Sequence, residues 1–90
     1  MPTIKFTNAL QRFFPTLSET ELEAGSLSEV LEILEDKHPG LRNYIVDEQG
    51  ALRKHVNIFI DGDLIHDRDG LSDSFEKRSE IYIMQALSGG

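Results

Sequence analysis

The sequence closes on Leu87-Ser88-Gly89-Gly90, and the carboxyl group of Gly90 is the group in the chain best placed for chemistry. Two successive glycines make a narrow, unbranched peptide. Such a peptide can thread a slot and carry its carboxylate to a reagent at the far end. Glycine loses more backbone freedom than other residues when held in place, so packing gives a compact domain no reason to finish this way. Extended at about 3.3 Å per residue, the last four residues reach roughly 13 Å beyond a folded body. A frayed end is the plain alternative, since termini are commonly loose.

The other reactive side chains narrow the chemistry further. The chain has no cysteine, which removes disulfides, thiolate metal ligands and thiol nucleophiles together. If the protein handles sulfur, its carrier is the terminal carboxyl group. His38, His55 and His66 lack metal-ligand spacing and read as surface or structural residues. Asp61, Asp63, Asp67 and Asp69 briefly resemble a calcium loop. They lack a glutamate at the twelfth loop position and flanking helices, so turn and solvation roles explain them better. There is no glycine-rich phosphate loop and no nucleophile–base motif. The expectation is a non-enzyme with no bound metal or cofactor.

The body that must hold this tail is small. Ninety residues make one domain with a single modest core. The expectation is one domain over residues 1–90, with a flexible tail from about residue 85. The net charge of −7 disfavours nucleic acid and anionic membranes and favours partners with basic docking surfaces. No apolar run is long enough to span a bilayer. The start, Met1-Pro2-Thr3-Ile4-Lys5-Phe6, lacks the apolar stretch and cleavage site of a signal peptide. A cytoplasmic protein is expected.

Residues 3–7 alternate polar and apolar, as a half-buried strand does. Residues 8–18 break the pattern around Pro15 and read as a loop, with Phe13 or Phe14 folding back over the core. Residues 20–24 alternate again, with Leu22 and Ala24 inward, and Gly25 ends the strand. Ser26 and Glu29 form a capping box for a helix. Leu27, Val30, Leu31 and Leu34 make its apolar stripe. Glu29, Glu32, Glu35 and Asp36 form its solvated face. Lys37 and His38 suit the C-terminal dipole, and Pro39-Gly40 stops the helix.

Residues 41–54 are ambiguous, with a turn at 47–50 between short extended pieces. Residues 56–60 are a strong strand, Asp61-Gly62 a tight turn and 64–66 its return arm. Asp69-Gly70 is another turn, residues 71–77 are irregular, and 81–84 form the last strand. This order predicts an α+β fold: a mixed four- to five-stranded sheet with one main helix on one face. If Ile58, Ile60, Ile81 and Ile83 point inward, Phe59, Tyr82 and Met84 point outward. They are the candidate docking patch near the tail; Phe59 covering an edge or packing under residues 41–54 is the alternative.

Here the residues resemble a known family. His55-Val56-Asn57-Ile58-Phe59-Ile60-Asp61-Gly62-Asp63 is similar to the "VNIYVNGE" strand and turn of the MoaD/ThiS sulfur-carrier family. Gly70-Leu71 resembles that family's "GL" step. Glu80-Ile81-Tyr82-Ile83-Met84 followed by Ser88-Gly89-Gly90 resembles its "E-V-x-I-x-P-x-x-x-G-G" ending. The extra length of residues 41–54 resembles the branch that carries sulfur for cysteine biosynthesis, and some MoaD-like proteins. Two departures stand out. Glu76-Lys77-Arg78-Ser79 replaces the family's "DGD", and Gln85-Ala86 stands where the tail often has proline.

The resemblance implies a β-grasp, or ubiquitin-like, fold. It also implies a carrier whose Gly90 carboxylate is adenylated by an E1-like adenylyltransferase of the MoeB/ThiF type, using ATP and magnesium. The product becomes a thiocarboxylate, a 1-thioglycine at Gly90, with Gly89, Ser88 and Leu87 threading the enzyme's channel. The implied acceptor is a PLP-dependent cysteine synthase, a molybdopterin synthase large subunit or a thiazole-forming enzyme. A ubiquitin-like modifier joined through Gly90 to lysines, and an unreactive β-grasp interaction domain, are the competing functions.

Overall fold

The computed structural model describes residues 1–85; Leu87, Ser88, Gly89 and Gly90 lie outside them. The elements run β1 (Thr3–Phe6), α1 (Asn8–Phe13), β2 (Thr20–Glu21), α2 (Leu27–Lys37), α3 (Leu41–Ile45), β3 (Val56–Ile60), β4 (Asp63–Leu64) and β5 (Glu80–Gln85). The strands form one mixed sheet in the order β2-β1-β5-β3-β4. β1 and β5 lie parallel at its centre, and the remaining pairs are antiparallel. This is the expected β-grasp arrangement.

The alternation along the strands decides which face is covered. Ile4, Ile58, Ile81 and Ile83 are fully buried, and they meet Leu27, Val30, Leu31 and Leu34 of α2 in one core. The capping box that starts α2 is present: Ser26 Oγ accepts from the Glu29 amide at 3.1 Å. The Glu29 carboxylate reaches back to the Gly25 amide at 3.3 Å, one residue before the cap.

Three local expectations change. Residues 8–13 are a helix, not a loop. One buried residue, Leu10, anchors this single short stretch, and Gln11 Nε2 bonds to the Leu17 carbonyl at 3.0 Å to turn the chain back. Residues 41–45 are helical where an extended piece was expected. Leu41 and Ile45, one turn apart, are both fully buried. The Glu35 carboxylate, from the preceding helix, accepts from the Gly40 and Arg42 amides at 2.9 and 2.8 Å, satisfying N–H groups that a helix start leaves open. Val46 still bridges to Leu52 across the expected 47–50 turn. Finally, β2 covers Thr20 and Glu21 alone, although Leu22 is buried and Ala24 packs against the core as expected.

The β3–β4 hairpin follows its turn residues. Asp61 and Gly62 both have positive φ, 50° and 87°, which suits a two-residue turn between antiparallel strands. The turn is tied to the last strand. Asp61 Oδ1 accepts from the Glu80 amide at 2.9 Å, and its Oδ2 accepts from the buried Ser79 hydroxyl at 2.7 Å. These two bonds hold the Asp61 carboxyl below its usual pKa, the amide contributing more.

Candidate functional site: the root of the tail and the open sheet face

β5 runs directly into the tail. Gln85, expected to begin the tail, still pairs with Val56 of β3. Its amide donates to Thr7 Oγ1 at 3.3 Å. The polypeptide beyond residue 85 therefore starts from the central strand of the sheet, held on both sides by neighbours.

The outer face of the sheet carries the three residues singled out for docking. The register places Phe59 opposite Tyr82, and Met84 opposite Asn57 on the next outward row. All three are partly exposed, and none belongs to the partly buried side chains packed against the core. So Phe59 stands outside the core cluster, on the outer face of the sheet. The structure brings Phe59, Tyr82 and Met84 to one face; Gly90, Gly89, Ser88 and Leu87 are outside the described residues.

Leu64 completes this face and was missed from the sequence. It pairs with Phe59 and is 47% exposed. The signal was there: a two-residue turn at Asp61-Gly62 sets Ile60 against Asp63 and therefore Phe59 against Leu64. One row across the sheet reads Lys5, Tyr82, Phe59, Leu64. Lys5 Nζ pairs with Glu80 at 3.0 Å, and this hydrogen bond raises the Lys5 pKa. The row is thus apolar at one end and charged at the other.

Arg68 fixes the strand beside the tail root. Its guanidinium donates to Asn57 Oδ1 at 2.8 Å and to the Arg53 and Val56 carbonyls at 2.8 and 2.9 Å. The loop that supplies it is built on two aspartates. Asp67 accepts from the Ser72 hydroxyl at 2.5 Å and from the Gly70 amide at 2.9 Å. Asp73 accepts from the His66 and Asp67 amides. These bonds lower both carboxyl pKa values. A Cβ on Gly70 would lie 2.8 Å from Asp67 Oδ2, so a larger residue there must displace that carboxylate. Of the aspartates compared with a calcium loop, Asp61 and Asp67 staple turns, and no group of three His, Asp or Glu among the described residues could hold a metal. No helix among them is long and apolar enough to cross a membrane.

Comparison with known proteins agrees with this architecture. The model of the ThiS family matches residues 4–90. No curated protein matches the sequence. A chain of the Amycolatopsis orientalis BexX/CysO complex is similar over 100% of both chains, at 19% identity and a TM-score of 0.83. Mycobacterium tuberculosis CysO is similar at 19% identity over 97% of this chain and 100% of its own, with a TM-score of 0.80. Small archaeal modifier protein 1 of Methanosarcina acetivorans reaches 28% identity over 99% of this chain and 95% of its own, with a TM-score of 0.77.

Proposed function

The chain belongs to the ThiS family, and on that premise we propose that it is a sulfur carrier whose working group is the Gly90 carboxyl. A carboxylate resists nucleophiles until its oxygen is made a leaving group. An E1-like adenylyltransferase with ATP and magnesium supplies that step: a carboxylate oxygen attacks the α-phosphorus, pyrophosphate leaves, and an acyl-adenylate forms. Hydrosulfide then attacks the carbonyl carbon. The C–S bond forms, the C–O bond to AMP breaks, the proton passes to solvent, and a thiocarboxylate remains. With a persulfide donor, an acyl disulfide forms first and a thiol must cleave it.

This chain supplies the reacting group and a surface, and the activating enzyme supplies the chemistry. Gly89 and Gly90 leave the carbonyl unhindered for the near-attack geometry that a closed channel imposes. The observation that carries the proposal is the family match through residue 90, joined to a tail that begins at a central, doubly paired strand. The open face of Phe59, Tyr82, Leu64 and Met84 supports docking, because exposed apolar clusters mark binding surfaces. The acceptor we assign is a PLP-dependent cysteine synthase, on the length of the 41–54 segment; molybdopterin synthase is the alternative acceptor.

The likeness to a small archaeal modifier protein favours one second reading, conjugation of Gly90 to lysine amines. Both readings share the adenylate and part at the nucleophile. The test is intact mass of the full chain after incubation with its E1-like enzyme, ATP, magnesium and sulfide. The expected change is one oxygen exchanged for sulfur. An unchanged mass, or equal charging of a chain lacking Gly90, refutes the carrier. Mass shifts on other proteins that contain the whole chain select the modifier.

A further inference from the structure

β2 is one edge of the sheet, with β1 on one side and no strand on the other. The register shows which of its backbone groups stay open. Successive residues of a strand turn their N–H and C=O groups to alternate sides. The Thr3 amide donates to the Ser79 carbonyl at 3.0 Å, on the β5 side, so Ile4 turns its groups toward β2. Ile4 stands opposite Thr20, and Thr3 opposite Glu21. The Leu22 amide donates to the Pro2 carbonyl at 3.1 Å. Thr20 and Leu22 therefore serve the sheet, and the amide and carbonyl of Glu21 point to the open side. Glu19 and Glu23 continue the alternation on either side of it.

The side chains follow the same alternation. Glu19, Glu21 and Glu23 are exposed, Leu22 is buried, and Thr20 and Ala24 are half-buried. Thr3, Glu19, Thr20 and Glu21 line a hollow of about 440 Å³ beside the strand. The cations nearby do not cancel the glutamates. Lys5, on β1, is committed to Glu80 at 3.0 Å, the single ion pair among the described residues. Lys77 and Met1, with its amino group, share a hollow at the strand's end with Glu23 and Glu29. Glu19 and Glu21 therefore leave the middle of the edge acidic.

We infer that the open edge of β2 takes an extended basic segment of a partner protein as a sixth strand, its lysine or arginine side chains standing over Glu19, Glu21 and Glu23. Main-chain bonds to Glu21 hold the added strand, and side chains at alternate positions select it. Opposite charges on facing strands attract and like charges repel. The glutamates thus bar a second copy of this same edge, which would set glutamate against glutamate. Short, charged edges protect a sheet from unwanted pairing. Here that protection rejects acidic strands and a copy of itself, and a basic strand is the one it admits. β2 lies across the sheet from Leu64 on β4, so the inference stands apart from the Gly90 chemistry and from the Phe59 face.

The test titrates the isotope-labelled full chain with a peptide about six residues long that alternates lysine and valine, followed by amide NMR at low salt. The Glu21 amide is expected to shift and to exchange about 10-fold more slowly at saturation, the size of one gained hydrogen bond. Added salt should weaken binding. Glu21→Pro removes the outward N–H and no sheet bond, as proline allows on an edge strand, and should weaken binding about 10-fold at an unchanged melting temperature. The same peptide N-methylated on alternate amides, in both registers, tests the main-chain bonds on the unaltered protein and should not bind. Glu19→Lys with Glu21→Lys should abolish binding. A peptide that leaves the β2 amides unmoved, shifts Phe59 and Tyr82 instead, or binds equally well when N-methylated overturns the edge. Equal binding of a peptide with glutamate in place of lysine overturns the basic partner. Protection of Glu21 that rises with chain concentration alone overturns the proposal in favour of a second copy.

Discussion

Replacing Ile58 by alanine tests the sidedness on which the docking face depends. Ile58 is fully buried, while Phe59, the next residue, faces outward. Ile58→Ala removes three carbon groups from the core. At about 0.8 kcal/mol each, the lost transfer free energy is about 2.4 kcal/mol. The neighbours Ile4, Ile81 and Ile83 sit on paired backbone and close the gap only in part, so a cavity contribution raises the cost to about 3–4 kcal/mol. A domain of this size has a total stability of about 5–13 kcal/mol, so about a quarter or more is lost. The assay is urea unfolding followed by far-UV circular dichroism, where a slope of about 1–3 kcal/mol/M converts the loss to a midpoint shift of about 1–4 M. Phe59→Ala, which removes more atoms from the outer face, should move the midpoint less than half as far. If Phe59→Ala is the more damaging of the two, the sheet has been read inside out and the docking face is misplaced.

Four further outcomes are expected. Gly70→Ala drives a methyl group against Asp67 Oδ2, displacing the carboxylate from its amide and hydroxyl donors, and should lower stability by about 1–3 kcal/mol in the same unfolding assay. Stability should fall as pH drops below about 4. Asp61, Asp67, Asp73 and Glu35 have depressed pKa values in the folded protein, so their contribution is complete above the unfolded carboxyl pKa and is lost as pH falls through the folded one. Asp61→Asn and Asp73→Asn should flatten that acid limb, which a pH series of urea midpoints measures. Deletion of Gly90, or Gly90→Ala, should abolish thiocarboxylation by mass spectrometry and leave the melting curve unchanged. Tyr82→Glu should weaken the complex with the activating enzyme in a pull-down while far-UV circular dichroism stays wild type.

Much of the positioning frame was legible because its signals are local. Ser26 and Glu29, three residues apart, locate the start of α2, since a cap is satisfied within one helical turn. Asp61-Gly62 gives the hairpin for the same reason: two consecutive positive φ values need those residue types. Helices α1 and α3 were not legible. Each holds too few residues for a helical repeat to show, and each depends on contacts distant in sequence. Leu10 and Leu41 are anchored in a core assembled from the whole chain, and the start of α3 is capped from α2 by Glu35. The turn at Asp69-Gly70 was visible, but its carboxylate staples, Asp67 and Asp73, were not.

From residue order alone came the narrow diglycine end, the absence of any thiol and the alternation that sorts strand side chains into two sets. These depend on covalent structure and on a period of two, which need no partner to be defined. Only tertiary structure settled which strands are neighbours. That pairing set Leu64 beside Phe59 and Tyr82, and the closing of helices on the sheet gathered Phe13, Tyr44 and His55 into one aromatic cluster. Residues 13, 44 and 55 share no local pattern, because the forces that join them act through space after the sheet and helices have closed on a common core.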